Sequence, residues 1–190
     1  MHTVKKSAVQ YAKQWAESES GLVDGLASRN LETRQATLAR AAGVFRVARN
    51  FRLSFDVGRG LPRLSPALTI LDDFRTPALR DDSFLTAVNT VRRRFAVAYG
   101  RNDLLSAATK FLWLMHQHPV VIYDSRVRDA LGAPDGDYAL YLDLWNERYA
   151  HLAQEIQSAT NTLADDPRVP AGAEWFRRRV LDIHLWNLGG

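Results

Sequence analysis

Cysteine is absent from this 190-residue chain, which excludes disulfides, thiolate metal sites and thiol nucleophiles and is compatible with the cytoplasmic setting expected here. Long apolar runs are missing too. No stretch approaches the length of a membrane span, and the opening MHTVKKSAVQYAKQW lacks the hydrophobic core of a secretory signal, so no membrane partner is expected. There is no Walker loop, no dinucleotide glycine fingerprint and no G-x-S-x-G elbow, and no cofactor is expected. Lysine is scarce. Of 25 basic residues only Lys5, Lys6, Lys13 and Lys110 are lysines, and the other 21 are arginines.

What is present has the proportions of an ordinary globular domain, 46% apolar and 24% charged. The length suits a single domain over residues 1–190, with residues 1–20 readable as an appended N-terminal helix. A net charge of +4 is a mild hint of an anionic partner.

The apolar pattern is helical nearly throughout, and the expected fold class is all-α. A basic amphipathic helix is predicted from about Val4 to Ala16, followed by a polar break at Glu17–Gly21. The spacing of Leu38, Ala42, Phe45 and Ala48 predicts a helix from Leu31 to about Arg52, with the arginines at 34, 40, 46, 49 and 52 on its wet side. DVGRGLPRLSP reads as a loop, with a short helix from Pro66 to Phe74 capped by Ser65. Asp81 or Asp82 is a candidate cap for the next helix, which stops near Gly100. Asp103 caps one through His116, and Asp124 one through Leu131. Between the last two, VVIY runs extended. A long helix over 138–163 and a closing one over 173–188 complete the reading.

Lys110 sits in the helix predicted from Asp103. Leu104, Ala108, Phe111 and Met115 form one stripe, and Lys110 lies on the flank with Ser106, Trp113 and Gln117, a position expected at the border of core and solvent. A sheltered amine can shed its proton and act as a nucleophile or Schiff-base former, whereas a guanidinium stays charged. Asp124 comes after a proline-marked reversal, at a helix start that would hold it ionised. An ionised carboxylate in a fixed place can stabilise positive charge growing on a sugar or take a proton from the amine. The bland reading is an ordinary helix cap and a solvated lysine.

The order of small residues, Thr109-Lys110, an apolar helix, Pro119-Val120 and then Asp124 resembles the catalytic segment of the helix-hairpin-helix DNA glycosylases, in particular short bacterial 8-oxoguanine-glycosylase-like proteins. Leu104-Leu105-Ser106-Ala107-Ala108-Thr109-Lys110 matches their hairpin and lysine positions, and RRRVLDIHLWNLG (177–189) resembles their closing helix. The family's two hairpin glycines are replaced by Ser106 and Ala108. The resemblance implies a compact helical fold with a degenerate hairpin and a base-excising glycosylase/lyase for an oxidised purine such as 8-oxoguanine. Lys110 would be its Schiff-base nucleophile and Asp124 its electrostatic partner. The implied partner is nucleic acid, with DNA favoured over RNA, or a nucleotide.

Arg126 is a candidate phosphate contact, as are the runs Arg92–Arg94 and Arg177–Arg179; Trp113, Trp186 and His184 are candidate walls of a base pocket beside Ser106. Tryptophans at helical spacing are more often core. His116-Gln117-His118 lacks a third ligand at recognisable spacing, and no metal site is expected. Two alternatives stay open: an enzyme of the same fold acting on a nucleotide or RNA base in a bacterial defence setting, and a non-catalytic module that recognises a modified base or a partner protein.

Overall fold

A computed structural model describes residues 3–51, 63–75 and 83–190. The protein is all-α, with no strand among the described residues, and none of the described helices is long and apolar enough to cross a membrane. Its backbone forms two compact units, Met1–Ser20 with Val121–Gly190 and Gly21–Val120, and the chain passes between them at Ser20–Gly21 and Val120–Val121.

The first unit contains α1 (Val4–Gln14), α7 (Ser125–Leu131), α8 (Tyr138–Asn161) and α9 (Glu174–Leu188). Helix α1 buries Val4, Ser7, Ala8, Tyr11 and Ala12, an i, i+3, i+4 stripe, against α8 and α9. Residues 4–14 are thus packed into this unit as α1. The polar break expected at Glu17–Gly21 is instead a π-helical turn, Trp15–Glu19, that continues into α2 (Ser20–Ala27). A π turn inserts one extra residue and so rotates the side chains beyond it about the helix axis, and here Glu19 is fully buried. Its Oε1 lies 3.0 Å from Arg179 Nη2 and accepts a 2.6 Å bond from the Gln14 amide. Polarity that reads as a loop is part of an interior ion pair.

Arg179 also approaches Asp182, at 3.4 Å, and Asp182 Oδ1 accepts the Trp145 indole N–H at 2.7 Å. Burial pushes the Asp182 carboxyl up to about 6, against the opposing pull of Arg179. The Tyr11 phenol is likewise raised, first by burial and then by the charge of Glu19.

The second unit holds α3 (Leu31–Val44), a 3-10 turn (Ala48–Phe51), α4 (Ser65–Asp72), α5 (Phe84–Tyr99) and α6 (Leu105–His116). Helix α3 ends well short of Arg52. Arg46 adopts a left-handed conformation (φ 56°), and the Val47 N–H returns to the Ala42 carbonyl at 2.9 Å, the geometry of a Schellman stop. Such stops ordinarily carry glycine, so the arginine gives no warning of one. Arg34, expected on the wet side, is buried and paired with Asp72 of α4. Ser65 does not cap α4: Leu64 holds the cap position without a side-chain bond, and the Ser65 hydroxyl accepts from Gln35 instead. Asp81, Asp82 and residues 56–62 of the predicted loop lie outside the described residues.

Helix α5 stops as expected at Gly100, left-handed at φ 58°. Phe95, Phe51 and Phe111 interlock at centroid distances of 5.5–6.2 Å, joining α5, the 3-10 turn and α6 into one core. Each fully buried phenylalanine contributes roughly 1.5–3 kcal/mol.

Candidate functional site

Asp103 accepts the Leu105 N–H at 2.9 Å and so satisfies a first-turn donor of α6. Lys110 lies in the second turn. It is only 6% exposed, so its place is the interior and not the predicted border. The reason is that α6 has hardly any wet face: Leu105, Ala107, Ala108, Thr109, Phe111, Leu112, Trp113 and Leu114 are buried as well. Its Nζ donates to Ser106 Oγ at 3.0 Å, one turn back on the same helix. Ser106 is half-buried. The Thr109 hydroxyl is absorbed locally by the Leu105 and Ser106 carbonyls.

Ser106 and Ala108, at the positions matched to hairpin glycines, fall in the first turns of this helix, and Ala108 is fully buried. Backbone amides there cannot be approached as those of exposed glycines can. Trp113, at 2% exposure, is core. His116 is half-buried at the end of α6, where burial lowers its pKa from the usual 6.5. Among the described residues no three His, Cys, Asp or Glu side chains group as metal ligands.

Asp124 belongs to the first unit, where it caps α7 as predicted: its Oδ1 accepts the Arg126 N–H at 3.1 Å, and its own backbone is extended. The preceding residues 120–123 are buried and belong to neither a helix nor a strand. The Tyr138 and Tyr141 hydroxyls donate to the carbonyls of Val121 and Ile122 at 2.6 and 2.7 Å, which holds the approach to Asp124 in place.

The guanidinium of Arg126 lies 4.2 Å over the Trp186 ring. Arg126 is exposed and Trp186 half-buried, so the first unit brings Asp124, Arg126 and Trp186 together at the start of α7. The closing Gly189 seals this corner. A Cβ there would lie 2.0 Å from the Arg126 carbonyl oxygen, so only glycine fits. His184 does not join them. Two residues along a helix turn the side chain by about 200°, and His184 is buried with its Nδ1 3.4 Å from the Ser7 hydroxyl of α1. Of the candidate wall residues, only Trp186 therefore lines an accessible corner in its unit.

Arg177 pairs with Glu174, and Arg178 stacks on the rings of Trp145 and Tyr149 at 4.5 and 5.4 Å. Arg92 forks onto Asp103, and Arg94 binds Asp73. These arginines are engaged in local structure.

Two features escape a reading by residue type alone. One is the interior cluster of Glu19, Arg179, Asp182 and Trp145, signalled only by the i, i+3 spacing of Arg179 and Asp182. The other is an open depression of about 540 Å³ in the second unit, lined by Arg49, Asn50, Arg101, Asn102, Asp103 and Leu104. Its signal is a repeated Arg-Asn pair. No protein-family model, curated protein or solved structure matches the chain.

Proposed function

We propose that the protein is a base-excising N-glycosylase/lyase in which Lys110 is the nucleophile. The observation that carries this reading is one buried amine, hydrogen-bonded to the Ser106 hydroxyl, in a chain whose other lysines all precede residue 14. A nucleophilic amine must be neutral at the moment of attack, and burial favours the neutral form.

In this reading a damaged purine is rotated out of the stack. The Lys110 lone pair bonds to C1′ as the C1′–N bond breaks, and the departing base keeps that electron pair and takes up a proton. Opening of the sugar ring then yields a Schiff base. Loss of a C2′ proton from it expels the 3′-phosphate by β-elimination.

Ser106 and buried Ala108 favour a second reading within the same chemistry. A helix without exposed glycine amides is poorly suited to grip duplex DNA at that point, which favours a modified base in a single strand, an RNA or a nucleotide.

Borohydride trapping across lesion-bearing single- and double-stranded oligonucleotides tests both. The expected result is a covalent adduct with at least one lesion, lost in Lys110→Gln, with the circular dichroism of the variant unchanged. No adduct with any lesion, or an adduct that persists in Lys110→Gln, refutes the reading.

A further inference from the structure

The depression in the second unit is built on two arms. The first is the 3-10 turn Ala48–Phe51, which presents Arg49 and Asn50. Its far end is anchored by Phe51, fully buried against Phe95, Tyr99 and Phe111, and the Arg63 guanidinium donates to the carbonyls of Ala48 and Phe51. The second arm, presenting Arg101 and Asn102, leaves α5 through the left-handed Gly100, and the Arg101 N–H returns to the Ala96 carbonyl at 2.9 Å. Both arms are therefore fixed by backbone and core contacts, while their side chains remain exposed or half-buried.

The lining is chemically one-sided. Each guanidinium brings five N–H donors and each asparagine amide two. The one acid, Asp103, is already committed: its oxygens accept from Arg92 Nε at 2.7 Å, from Arg92 Nη2 at 2.6 Å and from the Leu105 N–H at 2.9 Å. Arg92 thus offsets its charge. Neither Arg49 nor Arg101 has an acidic partner among the described residues. Two like charges facing one depression repel unless an anion joins them, and planar guanidinium forks match the oxygens of a tetrahedral oxyanion. The volume falls within the ordinary range of ligand sites.

We propose that this depression binds a phosphate group through Arg49 and Arg101, with Asn50 and Asn102 as neutral donors. The phosphate is either a diester of a polynucleotide backbone or the monoester of a free nucleotide. The inference rests on the second unit alone and does not depend on whether Lys110 performs chemistry.

The test uses the full chain with two probes: a fluorescein-labelled single-stranded 12-mer, followed by anisotropy, and AMP, followed by calorimetry. Arg49→Gln/Arg101→Gln is compared with Arg148→Gln, which removes an exposed arginine from α8. The double variant is expected to lose at least tenfold in affinity for whichever probe the wild type binds, and Arg148→Gln less than twofold. If the oligonucleotide is the tighter ligand, the source is a diester, and the slope of log K against log salt shallows by about 1 in the double variant. If AMP is as tight or tighter, the source is a monoester. The proposal is overturned if the wild type binds neither probe at low salt, or if the double variant loses no more than Arg148→Gln. Because the readout is binding without turnover, a trapping experiment that fails leaves this result standing, and the converse holds too.

Discussion

Protonation of Asp182 should stabilise the first unit, the reverse of what acid does to most carboxylates. An aspartate with an ordinary pKa of 3.8 is raised by burial to about 6 in the folded chain. Between those values the folded state binds the proton and the unfolded state does not. The contribution is therefore fully present below pH 3.8 and is lost as pH rises through 6. The whole span corresponds to roughly 3 kcal/mol at 1.36 kcal/mol per pH unit, about half of it falling between pH 5 and 7.5. Arg179 does not reverse the sign, because one guanidinium is shared between Asp182 and Glu19.

The assay separates Asp182 from every other titrating group by difference. Urea unfolding of wild type and Asp182→Asn is followed by fluorescence at pH 5 and pH 7.5. Four of the five tryptophans, at 15, 145, 175 and 186, lie in the first unit and report on it. Asparagine keeps an acceptor for the Trp145 indole N–H but cannot ionise. Wild type should lose about 1–2 kcal/mol more than the variant on going from pH 5 to 7.5. The Trp145 indole proton, bonded to Asp182 Oδ1 at 2.7 Å, gives a local check by NMR and should titrate with a midpoint near 6. A midpoint near 4, or parallel pH dependence in wild type and variant, would refute the reasoning.

Gly100→Ala and Gly43→Ala should move stability in opposite directions by urea denaturation. Neither new methyl meets a neighbour within 4 Å, yet Gly100 is left-handed and should cost about 1 kcal/mol, while Gly43 in α3 should gain a few tenths. Phe111→Ala opens a cavity against Phe51 and Phe95 and should cost about 3–5 kcal/mol, read by the same method. Gly189→Ala sets a methyl 2.0 Å from the Arg126 carbonyl oxygen and should cost about 1–3 kcal/mol or free the tail, seen as faster amide exchange in α7.

Periodicity carries most of the fold, and its failures share one physical form. Helices α5 to α9 begin and end close to where apolar spacing, Asp124 and Gly100 place them, because those signals are local and act through the residue that bears them. Arg34, Glu19 and Arg46 escape it because each does something its residue type does rarely. Arg34 and Glu19 are buried charges paired with Asp72 and Arg179, which lie 38 and 160 residues away in sequence. Arg46 ends a helix in a conformation usually left to glycine. A partner far along the chain leaves no periodic trace.

The candidate site divides along the same line. Lys110 is distinguishable in the sequence as the one lysine after residue 13, and Asp124 as a cap. Neither signal measures exposure, which is why spacing alone sets Lys110 a full layer too far out. Its depth comes from the packing of other elements around nearly every side of α6. The same packing bears on function. An amine buried in the second turn of α6 and tethered to Ser106 can reach a sugar only if the sugar comes to it. If Lys110 is a nucleophile, Ser106→Ala should therefore alter the rate of adduct formation while leaving stability nearly unchanged. If it is a buried structural cation, the same substitution removes a hydrogen bond from a charged group and should cost about 1.5–3 kcal/mol in urea unfolding. The ratio of those two effects separates a reactive nitrogen from a merely enclosed one.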